Sequence, residues 1–216
     1  MPRERAILRS ISRPRQARSQ QTLQRLLDAA QSLIEERGCA DVSVPEVVAR
    51  AGSSVGGFYS RFKNKDELIL ALEERMLDQQ RRLVDALTNE DKLRGASLRQ
   101  IAGPAIRQLV SIHRTHDRLA AAFVAVTARD PAYRARVAKF REEVVHRFGA
   151  LLLERREEIK HPHPERAVEF IIKMVLSGAR QEAVFGKTEA GGRALTEAEM
   201  AGELEHMFLT YLGVAA

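Results

Sequence analysis

Apolar residues recur at three- and four-residue intervals along almost the whole chain, and each run is bounded by a capping or breaking signal. Leu23, Leu26, Leu27, Ala30, Leu33 and Ile34 mark the first run. This spacing predicts a helix. It opens at Ser19 and closes at Glu35-Glu36-Arg37, before Gly38, a residue suited to the left-handed position that ends a helix. A short second helix is predicted from Ser43 to about Ala51. Ser43 and Glu46 have the spacing of a capping box, Val42 and Val47 that of a hydrophobic staple, and Pro45 falls in the first turn, where its missing N–H costs little. Gly52 supplies a turn, and a third helix runs from about Ser54 to Tyr59 or Ser60. Phe58 and Phe62, spaced i, i+4, anchor it to a core. Asn64 and Glu67 then cap a long helix through Leu68, Leu72, Met76, Leu83 and Leu87.

The remainder continues in the same period, with helices expected at about 65–88, 96–114, 117–129, 131–158, 164–185 and 196–212. The breaks are Asn89-Glu90-Asp91, Asp130-Pro131, His161-Pro162-His163-Pro164 and the stretch from Gly186 to Gly192. Pro131 and Pro164 sit in first turns. Pro104 lies within a helix and is expected to kink it; a kink beside Gly103 either opens space for a ligand or is an accident of packing. Few β-branched or aromatic runs alternate with period two. The prediction is an all-α chain of about nine helices. A three-helix helix-turn-helix domain at 19–64 follows a basic arm at 1–18 and precedes a helical body at 65–216. A helix-turn-helix places its second helix in the DNA major groove.

Charge sharpens this division. The net charge is +6. Residues 1–65 hold 12 Lys/Arg against 6 Asp/Glu, and residues 66–216 hold 23 against 23, so the whole excess lies in the first third. Such a segment on a neutral body points to an anionic partner for that segment, double-stranded DNA first among them. The arm carries Arg3, Arg5, Arg9, Arg13, Arg15 and Arg18 against Glu4 alone, with Pro2 and Pro14 as helix breakers. A flexible arm of this kind lays arginines into a narrow minor groove, with Arg13, Arg15 and Arg18 as the candidates. The 44% apolar content supports a real core. No run of 18 apolar residues indicates a membrane span, and the arginine-rich start is no secretory signal. With a single cysteine, Cys39, a cytoplasmic location is expected.

The third helix offers Ser54, Val55, Gly57, Tyr59 and Ser60 toward a groove. None makes the bidentate contact that arginine makes to guanine or asparagine to adenine. Direct readout is therefore modest: thymine-methyl contact from Val55 and hydroxyl bonds from Ser54, Tyr59 and Ser60 share the discrimination with the arm and with DNA shape. Gly56 and Gly57 each cost roughly 1 kcal/mol relative to alanine inside a helix, which argues for close approach to another backbone. Ser43 and Lys65, at helix starts, are placed for phosphate. The structural alternatives are a plain cap at Ser43 and a solvated basic turn around Lys65.

At these residues the segment resembles the DNA-binding domain of the TetR family of bacterial transcription regulators. The matching pieces are Gly38-Cys39, Val42-Ser43-Val44, Val47 to Gly52, Ser54, Gly56, Phe58-Tyr59, Phe62 and Lys65-Asp66-Glu67-Leu68, spread over roughly residues 20–72. Ser53 departs from the small apolar residue that often follows the Ala-Gly turn in the family. The resemblance implies an all-helical homodimer whose body binds a small molecule and thereby releases the heads from a palindromic operator. It also implies phosphate contacts from Ser43, Tyr59 and Lys65 and base-edge contacts from Ser54, Val55, Gly57 and Ser60.

Phe170, Ile171, Met174 and Val175 on one helix, and Met200, Leu204, Met207, Phe208, Tyr211 and Leu212 on another, exceed what one small domain needs to bury. The helices at 164–185 and 196–212 are expected to form a four-helix bundle with their copies. The family's ligand cavity points to Arg107, His113, Phe123, Tyr133, Phe140, Phe170 and Met174 as candidate contacts for an effector the sequence does not identify. No cofactor, catalytic constellation or metal site is predicted; His161 and His163 lack further ligands at useful spacing. The expected function is a ligand-responsive DNA-binding repressor rather than an enzyme. The alternative is a helical ligand-binding or enzymatic body with a vestigial head.

Overall fold

The computed structural model describes residues 3–214, with side chains from Ser19 onward except those at 90, 92, 127, 183 and 184. The helices are α1 (Arg3–Arg37), α2 (Val44–Arg50), α3 (Val55–Tyr59), α4 (Lys65–Leu87), α5 (Glu90–Leu93), α6 (Leu98–Thr115), α7 (Asp117–Thr127), α8 (Pro131–Leu153), α9 (Pro164–Phe185) and α10 (Glu197–Leu212). The fold is all-α, apart from a short 3-10 turn at Arg156–Glu158 and a two-stranded hairpin, β1 (Glu189–Ala190) and β2 (Arg193–Ala194). The chain divides into two compact units, Met1–Glu74 and Arg75–Ala216, so the division falls inside α4.

In the first unit, the head, Leu26, Leu27, Ala30, Leu33 and Ile34 of α1 are buried together with Val42, Val47, Val48, Phe58, Phe62, Leu68, Ile69 and Leu72. These are the positions of the helical period, which gathers one apolar stripe per helix. In the body, one core joins Leu98, Ile101, Ile106 and Val110 of α6 to Ile171 and Val175 of α9 and to Met200, Leu204, Phe208 and Leu212 of α10. A Cβ on Gly178 would meet Leu204 Cδ2 at 3.3 Å, so this glycine admits the close approach of α10 to α9. The Arg114 guanidinium holds Glu182 through two 2.8 Å bonds, and both side chains are largely buried.

Several expectations are corrected. Helix α1 extends back to Arg3, so its backbone stays helical through Pro14, where a break was expected. A proline inside a helix forfeits one hydrogen bond, and strong helix formers such as arginine on either side can carry the helix through it. The expected groove contacts of Arg13, Arg15 and Arg18 fall outside the described side chains. Helix α6 contains Pro104 in its interior, as expected. The space a kink would open beside Gly103 is occupied: a Cβ there would lie 2.8 Å from the Glu205 carboxylate, which also accepts from Arg107 at 3.0 Å. The stretch from Gly186 to Gly192, read as a plain break, folds into the hairpin. Ala190 pairs with Arg193 across Gly191 and Gly192, whose φ values of 61° and 79° are those a two-residue hairpin turn requires. Helix α8 ends at Leu153, not near residue 158, and its continuation tightens into the 3-10 turn.

Candidate nucleic-acid interface

The helix-turn-helix is set by its caps. The Glu46 carboxylate accepts from the Ser43 N–H at 2.9 Å and from the Ser43 hydroxyl at 2.7 Å. Arg37 adds a 2.9 Å ion pair to the same carboxylate. The Ser43 hydroxyl and N–H, then Arg37, hold the Glu46 carboxyl down at about 2. Arg50 pairs with Glu36 in the same way, so two ion pairs fasten α2 to the end of α1. Gly52, at φ 55°, makes the turn into α3, and Ser53 N–H donates to the Val48 carbonyl at 3.0 Å.

Helix α3 is pinned from below and open above. Phe58 is fully buried and packs on Phe62, with ring centroids 5.4 Å apart. Val55 and Tyr59, four residues apart and so on one helix face, are 53% and 56% exposed. Large apolar side chains standing free on a five-residue helix form a surface built for contact. Around them, Ser54 accepts from Gly57 N–H at 3.0 Å as the N-cap, and Ser60 donates to the Gly57 carbonyl at 3.0 Å. The two glycines separate in role. A Cβ at Gly57 would lie 3.0 Å from the Ser53 hydroxyl and 3.1 Å from that of Ser54, whereas one at Gly56 would meet nothing within 4 Å. Gly57 therefore accommodates its own cap, and Gly56 leaves bare backbone on the surface.

Two of the three expected phosphate contacts, Ser43 and Lys65, are also engaged within the head. The Ser43 proton is directed to Glu46. The Lys65 ammonium donates to the carbonyls of Cys39 at 2.9 Å and Val42 at 3.0 Å, which leaves one of its three protons. Arg61, not singled out from the sequence, bridges elements: it donates to the Gly57 carbonyl at 2.7 Å and to the Ser19 hydroxyl at 3.1 Å. It ties the end of α3 to the point where the arginine-rich segment ends. Only its place in the basic turn with Lys63 and Lys65 could have drawn attention to it.

Residues 26–72 match the model of the bacterial regulatory proteins, tetR family. The head is a tetR-family DNA-binding domain. The fold likeness extends beyond it. A transcription regulator of that family from Haloarcula marismortui ATCC 43049 superposes with a TM-score of 0.65 at 16% identity, over 89% of this chain and 96% of its own. A protein of Mesorhizobium loti MAFF303099 described as a TetR-family transcriptional regulator reaches 0.70 at 20% identity, over 91% and 97%. A transcriptional regulator of Rhodococcus sp. Rha1 gives 0.65 at 23% identity, over 90% and 99%. No curated protein matches the chain. At these identities the likeness is one of fold, an all-helical one that extends beyond residues 26–72.

The seven candidate effector contacts in that body scatter. Phe123, Tyr133 and Phe140 are buried in it, with Arg81 stacked 5.3 Å from the Phe140 ring and Arg136 4.6 Å from that of Tyr133. Arg107 lies at the surface, paired with Glu205. Phe170 and Met174 are exposed on α9. His113 is largely buried, and burial, then the charges of Arg180 and Arg141, push its imidazole down to about 4. None of the seven lines the cleft of about 540 Å³ between α7, α8 and α9, whose walls include Val124, Arg141, Lys173 and Arg180.

Proposed function

We propose that this protein is a ligand-responsive transcriptional repressor. It binds a palindromic operator as a homodimer and is released when a small molecule occupies the body. The observation that carries the reading is the exposed face of Val55 and Tyr59 on the short second helix of a tetR-family helix-turn-helix. Ser54 and Ser60 flank these residues with hydroxyls for base edges, and the remaining proton of Lys65 serves a phosphate. Arg13, Arg15 and Arg18 add contacts along the minor groove. Modest direct readout is supplemented by DNA shape.

Two further observations support the rest of the reading. Phe170 and Met174 of α9 and Met207 and Tyr211 of α10 are exposed apolar side chains, and Phe170 and Tyr211 stack at 5.5 Å. Covering this row with a second copy yields the two-fold dimer that two operator half-sites need. Helix α4 begins in the head and ends in the body, which makes it the lever through which the ligand shifts the population of DNA-competent dimers. Among the described residues no helix is long and apolar enough to cross a membrane, in keeping with a regulator acting in the cytoplasm.

The test is a gel shift with the DNA that flanks the protein's own gene. A specific band carrying two copies per palindrome, lost on addition of a small-molecule extract, is the expected result. Equal binding to every duplex of that length contradicts the reading.

A further inference from the structure

The cleft between α7, α8 and α9 has a chemistry of its own. Four cationic side chains line it, Arg134, Arg141, Lys173 and Arg180, against a single carboxylate, Glu142. That carboxylate is already engaged by Lys173 at 3.4 Å, and Lys173 is held a second time by Glu169 at 2.7 Å. Among the described residues Arg141 donates only to the Ser177 hydroxyl, at 3.1 Å. Among the described residues no carboxylate lies within ion-pair distance of Arg141 or Arg180. The two guanidiniums nevertheless sit half-buried on facing helices. Burial, then the charge of Arg180, holds Arg141 below the ordinary arginine range. The same two charges depress the neighbouring His113, and the nearby carboxylate Glu182 is bound to Arg114. Bringing like charges together in a partly desolvated groove is unfavourable unless an anion completes it. The rest of the wall is apolar, with Val124, Val137, Val145 and Leu176, and a volume of about 540 Å³ falls within the range of small-molecule sites.

We propose that this cleft binds an amphipathic organic anion, its oxyanion group held between Arg141 and Arg180 and its apolar body lying on Val124, Val137, Val145 and Leu176. The guanidinium fork matches a carboxylate or phosphate edge through paired hydrogen bonds. The proposal rests on the repressor reading only in naming this anion as the effector. The site itself stands or falls without DNA.

The full-length protein is titrated with 8-anilinonaphthalene-1-sulfonate, and in parallel with N-phenyl-1-naphthylamine, the same body without the sulfonate. The sulfonate binds one site per chain. Arg180→Gln and Arg141→Gln each weaken it about tenfold or more, the loss expected for a hydrogen bond to a charged group, and leave the neutral dye unchanged. Arg180 makes no internal hydrogen bond among the described residues, so its replacement leaves the fold intact even if Arg141→Gln does not. Arg180→Lys recovers only part of the affinity lost in Arg180→Gln, because an ammonium keeps the charge but not the paired hydrogen bonds. Octanoate or octyl phosphate displaces the dye and octanol does not, and whichever anion acts at the lower concentration names the headgroup. Sulfonate affinity that survives Arg180→Gln, or neutral dye binding as tightly as the sulfonate, overturns the proposal. If the anion binds through the arginines but operator affinity does not respond, the site stands and the repressor reading fails.

Discussion

The ammonium of Lys65 lies 3.0 Å from the carbonyl oxygen of Val42 and 2.9 Å from that of Cys39. The first residue of α4 thus closes the loop that leads into α2. Hydrogen bonds from a charged donor contribute about 1.5–3 kcal/mol each. Lys65→Met leaves both carbonyls without this partner, and the expected loss is about 2 kcal/mol or more. Urea unfolding followed by circular dichroism measures it, and an unchanged midpoint contradicts the clamp.

The Arg114–Glu182 pair makes the opposite case to a surface ion pair. Burial raises the Glu182 carboxyl, but Arg114 and the Thr188 N–H outweigh it and leave the group below the ordinary carboxylate range. Removing one partner of a largely buried pair strands the other, at a cost of about 3–5 kcal/mol. Arg114→Met is expected to destabilise the body by that amount. Arg114→Met with Glu182→Met recovers most of it, as a double-mutant cycle in thermal unfolding will show. A single-mutant loss under 1 kcal/mol speaks against the pair's burial.

His113 gives the body a pH dependence. Its folded value is about 4, against 6.5 when unperturbed, so the unfolded chain binds the proton first. Stability from the neutral imidazole is fully present above pH 6.5 and falls as the pH drops toward 4. The expected fall is about 3 kcal/mol, at roughly 1.36 kcal/mol for each unit of the shift. His113→Gln removes that part of the slope. A variant whose stability falls as steeply as wild type over this window would place the titration elsewhere.

The parts of the fold that depend on local chemistry were legible. The Ser43–Glu46 cap, the Gly52 turn and the first-turn prolines of α8 and α9 act through neighbours in sequence, and the helices they bound lie within a few residues of expectation. What could not be read depends on partners far along the chain. Lys65 resembles a free cation until Cys39 and Val42, more than twenty residues earlier, are brought to it. Gly103 beside Pro104 suggested a gap until Glu205 filled it. The hairpin turn at Gly191-Gly192 carried a signal, but two-residue strands hold too few alternating positions to register a period. The arginine cleft was invisible for the same reason. Arg141 and Arg180 sit on separate helices, and no spacing in the sequence connects them.

The central claim is that the face of α3 bearing Tyr59 reads DNA. Tyr59 is 56% exposed, its ring edge-on to Phe58 at 5.2 Å, so Tyr59→Ala should change stability by no more than about 0.5 kcal/mol. The decisive measurement is fluorescence anisotropy of a labelled operator duplex titrated with wild-type and Tyr59→Ala protein at one salt concentration, both shown folded by circular dichroism. Affinity at least tenfold weaker in the folded variant is the predicted result. Operator affinity equal to wild type would contradict the account.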